Sequence, residues 1–200
     1  MQKIQKFNIY RKPLTVSSLL NIKHLKTSQQ SIEVNAQTIQ QALSDRYADH
    51  KYIIFNTFLF DWESDYLSVN ESQYIYECEI KITEADFKKD FKKLDKHTLL
   101  ESKSDTQKIP NKFYYAAPRG ILPSYRVPEY AGLIEISLEA GRLVAEVVKN
   151  APFLHRDNIF EQIRPQLLDK FYHKYKRTEF ENYELNKEID RLKSELTDKK

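Results

Sequence analysis

Two hundred residues hold one core-forming domain plus an appendage, not two ordinary domains. Thirty-two Lys and Arg against twenty-nine Asp and Glu leave a formal charge of +3, so any polyanion-binding footprint must be local. The single Cys78 excludes an intramolecular disulfide framework and a multi-thiolate zinc site, which fits an intracellular, cytoplasmic protein, phage- or mobile-element-encoded origin included. Three dispersed glycines, Gly120, Gly132 and Gly141, make no phosphate loop or dinucleotide fingerprint, and the histidines form no close metal-ligand pair. The longest apolar stretch, Tyr52 to Phe60, is interrupted by Asn56 and Thr57 and is too short for a membrane span.

Residues 1–30 mix short apolar and basic pieces without a period and are expected to form an N-terminal arm. From Val34 to Tyr47 the apolar positions recur at three- and four-residue steps, the period of an amphipathic helix. Tyr52–Phe60, Ser64–Val69 and Gln73–Ile82 are rich in aromatic and β-branched residues and are expected to be strands, the last two joined as a hairpin through Asn70-Glu71-Ser72. Thr83 can cap a helix with an apolar stripe of Phe87, Phe91 and Leu94 and with Lys88, Lys89, Lys92, Lys93 and Lys96 over much of the remainder. Those five lysines are the first candidates for contacting nucleic-acid phosphates, although a solvated helix face explains them equally well. Strands are expected at Lys112–Ala117, Ala131–Ser137 and Leu143–Val148, the last pair turning at Gly141.

The domain is expected to span residues 31–150, with 151–200 a helical extension. In that extension Lys170 to Arg177 interleave basic and aromatic residues; nucleic-acid contact and packing of the aromatics on the core are the two readings, and packing is the expectation. Leu185, Ile189, Leu192 and Leu196 form a short heptad seam, which serves either a docked amphipathic tail or an oligomer or protein-partner contact.

Chemistry concentrates in Tyr76-Glu77-Cys78-Glu79-Ile80-Lys81. Glu79 and Lys81 lie two apart on a strand and leave it on one face, and Asp65 on the preceding strand can lie opposite them across the turn. Two carboxylates and a backbone carbonyl, that of Ile80, make a hard oxygen site suited to Mg²⁺ or Mn²⁺, while Lys81 can orient or help deprotonate a water and stabilise developing charge. Asp61 and Glu63 share the parity of Asp65 and rival it. Glu77 is read as a partner for a helix lysine, Glu33 and Gln37 as capping or solvent-exposed residues of the first helix, and Cys78 as a small buried hydrophobe. Exchange of Glu79 is expected to cost little stability, because clustered carboxylates strain one another when no cation is bound.

Ser64-Asp65, Glu79-Ile80-Lys81 and Asp86-Phe87 with Asp90 and Lys92 resemble the PD-(D/E)XK nuclease superfamily, in particular its MmcB-like DNA-repair endonucleases. Phe113 to Pro118 and Tyr130 to Ile134 extend the resemblance, with Ser64 in place of the motif's proline. The resemblance implies a restriction-endonuclease-like α/β fold with a mixed sheet flanked by helices, metal ligands at Asp65 and Glu79, a catalytic Lys81, a Mg²⁺ or Mn²⁺ cofactor, and DNA as substrate. The other reading is a retired nuclease-like scaffold that binds partners.

Overall fold

The computed structural model describes residues 33–197. The N-terminal arm expected at 1–30 lies outside them. Helix α1 spans Ala36–Arg46 and is started by Asn35, whose side chain accepts from the Thr38 amide while Thr38 Oγ1 accepts from the Asn35 amide, both at 3.0 Å. The chain then runs through β1 (Tyr52–Phe58), β2 (Glu63–Val69) and β3 (Ile75–Ile80), an antiparallel meander. Asn70 closes the β2–β3 turn by accepting from the Tyr74 amide at 2.9 Å.

After β3, Thr83 caps α2 (Glu84–Asp90), and α3 (Leu94–Ser102) carries the chain back to β4 (Lys112–Pro118), which is parallel to β3. A second parallel connection leads to β5 (Ala131–Glu139), and the turn at Ala140-Gly141 returns it as antiparallel β6 (Arg142–Lys149). Both turn residues have positive φ, as a two-residue hairpin turn requires. The result is a six-stranded mixed sheet in the order β1-β2-β3-β4-β5-β6. It is an α/β fold with helices on both faces, followed by the long helix α4 (Phe160–Thr197). Among the described residues no helix is long and apolar enough to cross a membrane.

Strand alternation sorts the core into two layers. Ile39 and Leu43 of α1 cover Tyr66, Cys78, Ala116 and Ile134 on one face. On the other, Phe87 and Leu100 of α2 and α3 cover Leu67, Ile75, Phe113, Tyr115 and Leu133. Cys78 is wholly buried in the first layer, as its parity predicts. The core continues past position 150, since Ala151, Leu154, Ile159, Phe160 and Leu167 are all buried. Beyond Leu167 no residue of the helix is buried.

The expected single helix from Thr83 is two helices, and the difference matters. α2 ends at Asp90, and the chain resets over Phe91–Lys93 before α3 begins. Leu94, expected on the apolar stripe, is therefore 71% exposed, while Lys96 and His97 turn inward. Phe91 keeps its place by stacking on the His97 ring, centroids 4.8 Å apart.

Gly132 marks the tightest crossing in the sheet. A Cβ there would run into the Tyr114 ring and lie 2.6 Å from the Ala151 amide nitrogen, a backbone atom that cannot step aside. Gly132→Ala is expected to destabilise the domain by about 1–3 kcal/mol through overpacking. Urea unfolding with an unchanged m-value checks it.

Candidate functional site

Asp65 occupies the one place in β2 where both neighbouring ladders stop. Pairing with β1 jumps from Phe55–Tyr66 to Thr57–Ser64, because Asn56, at φ 47°, turns out of the strand opposite Asp65. On the other side the β2–β3 ladder ends at Tyr66–Cys78. Extending that register would place Asp65 opposite Glu79, and both residues share one face by parity. Two side chains replace the missing ladder bonds. Gln40 of α1 donates to the Asp65 carbonyl at 2.9 Å and to Asn56 Oδ1 at 2.8 Å, and Asp65 Oδ2 accepts the Ile80 amide at 2.8 Å. In an extended strand a residue's N–H and C=O leave on the same side, so the Ile80 carbonyl also faces the gap between β2 and β3.

Glu79 has a different environment. Its Oε1 accepts from Lys81 Nζ at 2.9 Å and Lys93 Nζ at 3.1 Å, and its Oε2 accepts from Lys96 Nζ at 2.6 Å. The carboxylate is buried, as are Lys81 and Lys96. Asp90, at the end of α2, extends the cluster: its Oδ1 lies 3.2 Å from Lys81 Nζ and 3.1 Å from Lys93 Nζ. Tyr115 Oη donates to Asp90 Oδ2 at 3.0 Å, and His97 Nε2 lies 3.0 Å from the Asp90 carbonyl and 3.4 Å from Oδ2. His97 Nδ1 is in turn 2.6 Å from Tyr130 Oη. This chain of contacts ties β3 to both helices that cover it and to β4.

Electrostatics follows from these contacts. Burial works to raise Glu79, but Lys96 and Lys81 outweigh it and hold its carboxyl below the usual range. Asp90 is held lower still: against burial act the His97 hydrogen bond and the ammoniums of Lys96, Lys81 and Lys93. Lys81 is desolvated, yet Glu79 and Asp90 raise it and keep it charged. Asp65 behaves oppositely. Burial and the nearby Glu79 charge push its carboxyl up, and among the described residues no ammonium lies within ion-pair distance of it.

Glu77 lies wholly buried on the same face, accepts from Trp62 Nε1 at 2.7 Å and stands 3.7 Å from Lys96 Nζ. The expected lysine partner is thus present, with the indole of Trp62 as a second one. Its Oε2 has no hydrogen-bond partner among the described residues. Burial pushes its carboxyl up to about 7, with Lys96 opposing and Glu79 adding to the rise.

The structure thus brings Asp65, Glu79, Ile80 and Lys81 to the splayed end of β2 and β3. Of the five lysines read as a phosphate stripe, Lys88, Lys89 and Lys92 are exposed. Lys93, half exposed, and buried Lys96 both reach Glu79, because the break after α2 turns them toward it. Lys96 is fully enclosed, its ammonium 4.7 Å from the Phe113 ring centroid and 5.5 Å from that of Trp62. Asp61 pairs with Lys108 at the surface and Glu63 is exposed, so neither displaces Asp65. Gln40, rather than Glu33 or Gln37, is the first-helix residue that reaches Asp65. Sequence reasoning missed Gln40 and Trp62 and gave Asp90, His97, Tyr115 and Tyr130 no part in holding the cluster together. Asn56 inside an otherwise apolar strand was the one signal of the broken ladder.

No family model matches the chain, and no curated protein matches it. Among solved structures it is similar to a protein of unknown function from Silicibacter pomeroyi, at 17% identity and a TM-score of 0.52, over 74% of this chain and 90% of that one. At that identity the likeness concerns the fold alone.

Two expectations concern stability. Glu79→Gln would leave three ammoniums facing a neutral amide, so it should destabilise the domain by about 3–5 kcal/mol, against the small cost expected from sequence; equilibrium denaturation measures this. Glu77 binds its proton more tightly folded than unfolded, so its contribution is complete below the ordinary value of 4.5 and is lost as pH rises through about 7. Glu77→Gln should abolish that part of the decline, about 3 kcal/mol at most, in urea unfolding curves on either side of neutrality.

Proposed function

We propose that the protein is a Mg²⁺- or Mn²⁺-dependent nuclease hydrolysing phosphodiester bonds in DNA, of the PD-(D/E)XK type, with DNA repair or mobile-DNA processing as its setting. The observation that carries this reading is the splayed end of β2 and β3. There the Asp65 carboxylate and the Ile80 carbonyl face one gap, beside the Glu79-x-Lys81 pair.

The donor chemistry fits a hard divalent cation. Among the described residues no three His, Cys, Asp or Glu side chains converge as a ready-made cage. The cation would rest on Asp65, Glu79 and the Ile80 carbonyl and draw its remaining ligands from water and phosphate, as Mg²⁺ does readily. Bound there, it would act as a Lewis acid toward the scissile phosphate. Asp65, raised by burial and without an ammonium partner, is the carboxylate that gains most from a cation. Lys81, held charged by Glu79 and Asp90, is suited to donating a hydrogen bond to a phosphate oxygen or to the attacking water and not to accepting a proton. Ammoniums of Lys89 and Lys92, without an ion pair among the described residues, and that of Lys88, held only by exposed Glu84, can meet the DNA backbone.

One observation favours the second reading, a retired scaffold. Glu79 already carries three ammoniums, and such a compensated cluster can serve only to fasten α2 and α3 to the sheet.

Asp65→Asn separates the two. The amide oxygen can still accept the Ile80 N–H, and no ion pair is lost, so the fold should persist. Under the nuclease reading, Mn²⁺ binding by calorimetry and Mn²⁺-dependent DNA cleavage should both fall by at least a factor of about 100. Lys81→Ala should cut cleavage while leaving Mn²⁺ bound. A native protein that neither binds Mn²⁺ nor cleaves DNA, or an Asp65→Asn variant that does both undiminished, would sink it.

A further inference from the structure

Helix α4 is 38 residues long, about 57 Å at the usual rise, yet only Phe160 and Leu167 of it are buried. The aromatics of the 170–177 segment, expected to pack on the core, are largely in solvent: Tyr172 is 60% and Tyr175 63% exposed. Lys174 marks the flank that touches the domain, since its ammonium donates to the Phe55 carbonyl at 2.5 Å. The same face continues outward: Thr178 lines a cleft with Asn56, Thr57, Phe58 and Glu63 of the domain, and from Asn182 on it is bare.

Because α4 is continuous, the short seam of leucines extends backward without interruption. Tyr175, Thr178 and Asn182 lead into Leu185, Ile189, Leu192 and Leu196 at alternating steps of three and four, three heptads of which the first lies beside the domain and the last two, Asn182 to Leu196, stand clear of it. All seven are exposed. Taking Tyr175, Asn182, Ile189 and Leu196 as a positions makes Thr178, Leu185 and Leu192 d positions. Ile189 at a between Leu185 and Leu192 at d matches the two-stranded pattern.

We propose that α4 is one strand of a parallel, in-register two-stranded coiled coil whose other strand is α4 of a second copy of this chain. Three features select this occupant. Asn182 sits at an a position, where an identical parallel helix presents another Asn182 and the two amides can bond. An antiparallel helix would set it against a d residue. Glu188 flanks the seam at g and Lys193 at e, so the parallel register brings Glu188 of each copy to Lys193 of the other. An antiparallel arrangement would gather Glu181, Glu188 and Glu195 on one side. The existing bonds of Glu188 to Arg191 and of Lys193 to Asp190 lie on the exposed surface and can be exchanged at little cost. The proposal stands on α4 alone and is independent of the nuclease reading.

Light scattering on the full chain at micromolar to submillimolar concentration should give twice the 23.8 kDa of one copy. Ile189→Asp with Leu192→Asp should return it to one copy with the domain's near-ultraviolet circular dichroism unchanged, because both side chains are 46% exposed. Oxidised Asn182→Cys should form a disulfide-linked dimer rapidly, and Lys187→Cys, on the outer face, should not. A monomeric native chain, a dimer that survives the double substitution, or equal cross-linking at 182 and 187 would each overturn the proposal.

Discussion

The Glu79 carboxylate is 3% exposed, so its charge can persist only if it is compensated, and three ammoniums compensate it. Two of them come from the segment after β3, Lys93 at the start of α3 and Lys96 within it. To deliver both, the chain must break its helix at Asp90 and turn. That break aims Asp90 at Lys81 and Tyr115, brings His97 to Tyr130, and exposes Leu94. The crossover from β3 to β4 is therefore placed by a charge cluster as much as by the apolar contacts of Phe87 and Leu100. Removing Glu79 would leave Lys81 and Lys93 to Asp90 and Lys96 to the more distant Glu77, with more positive than negative charge in the cluster.

Asp65 has the opposite character. It belongs to β2 but is held out of both ladders, with its carbonyl satisfied by Gln40 and its carboxylate by the Ile80 amide. A carboxylate that is partly buried, raised in pKa and without an ammonium within ion-pair distance is electrostatically unfinished. Asp65 and Glu79 lie one step beyond the last β2–β3 pair, one lacking an ammonium partner and the other surrounded by them. This asymmetry keeps both the catalytic and the scaffold readings physically coherent. It also makes Asp65 the residue at which they part.

The outer half of α4 has no share in that core. It runs on past the Lys174 contact with Phe55 with an apolar seam facing solvent, a state that a helix of this composition leaves when a matching surface is at hand. Its polar positions are as informative as its leucines: a single Asn in the seam and acid–base flanks restrict which matching surface that is.

Much of the architecture was legible in the sequence because it rests on local periodicity. The α1 stripe, the six strands, the turns at Asn70 and Gly141 and the burial of Cys78 follow from alternation of 3.6 or 2 residues and from turn chemistry. The same alternation put Glu77, Glu79 and Lys81 on one face and Asp65 in register with them. Where the lysines point was decided by tertiary structure. The run 88–96 has one charge pattern whether it forms one helix or two, and only the demand of buried Glu79 and Asp90 for counter-charges selects the break that turns Lys93 and Lys96 toward them. The ladder gap at Asp65 likewise arises from Asn56 and Gln40, 9 and 25 positions away in sequence. Periodicity reports which face a residue takes. Which charges meet across that face depends on contacts between distant segments, and these exist only once the chain is folded.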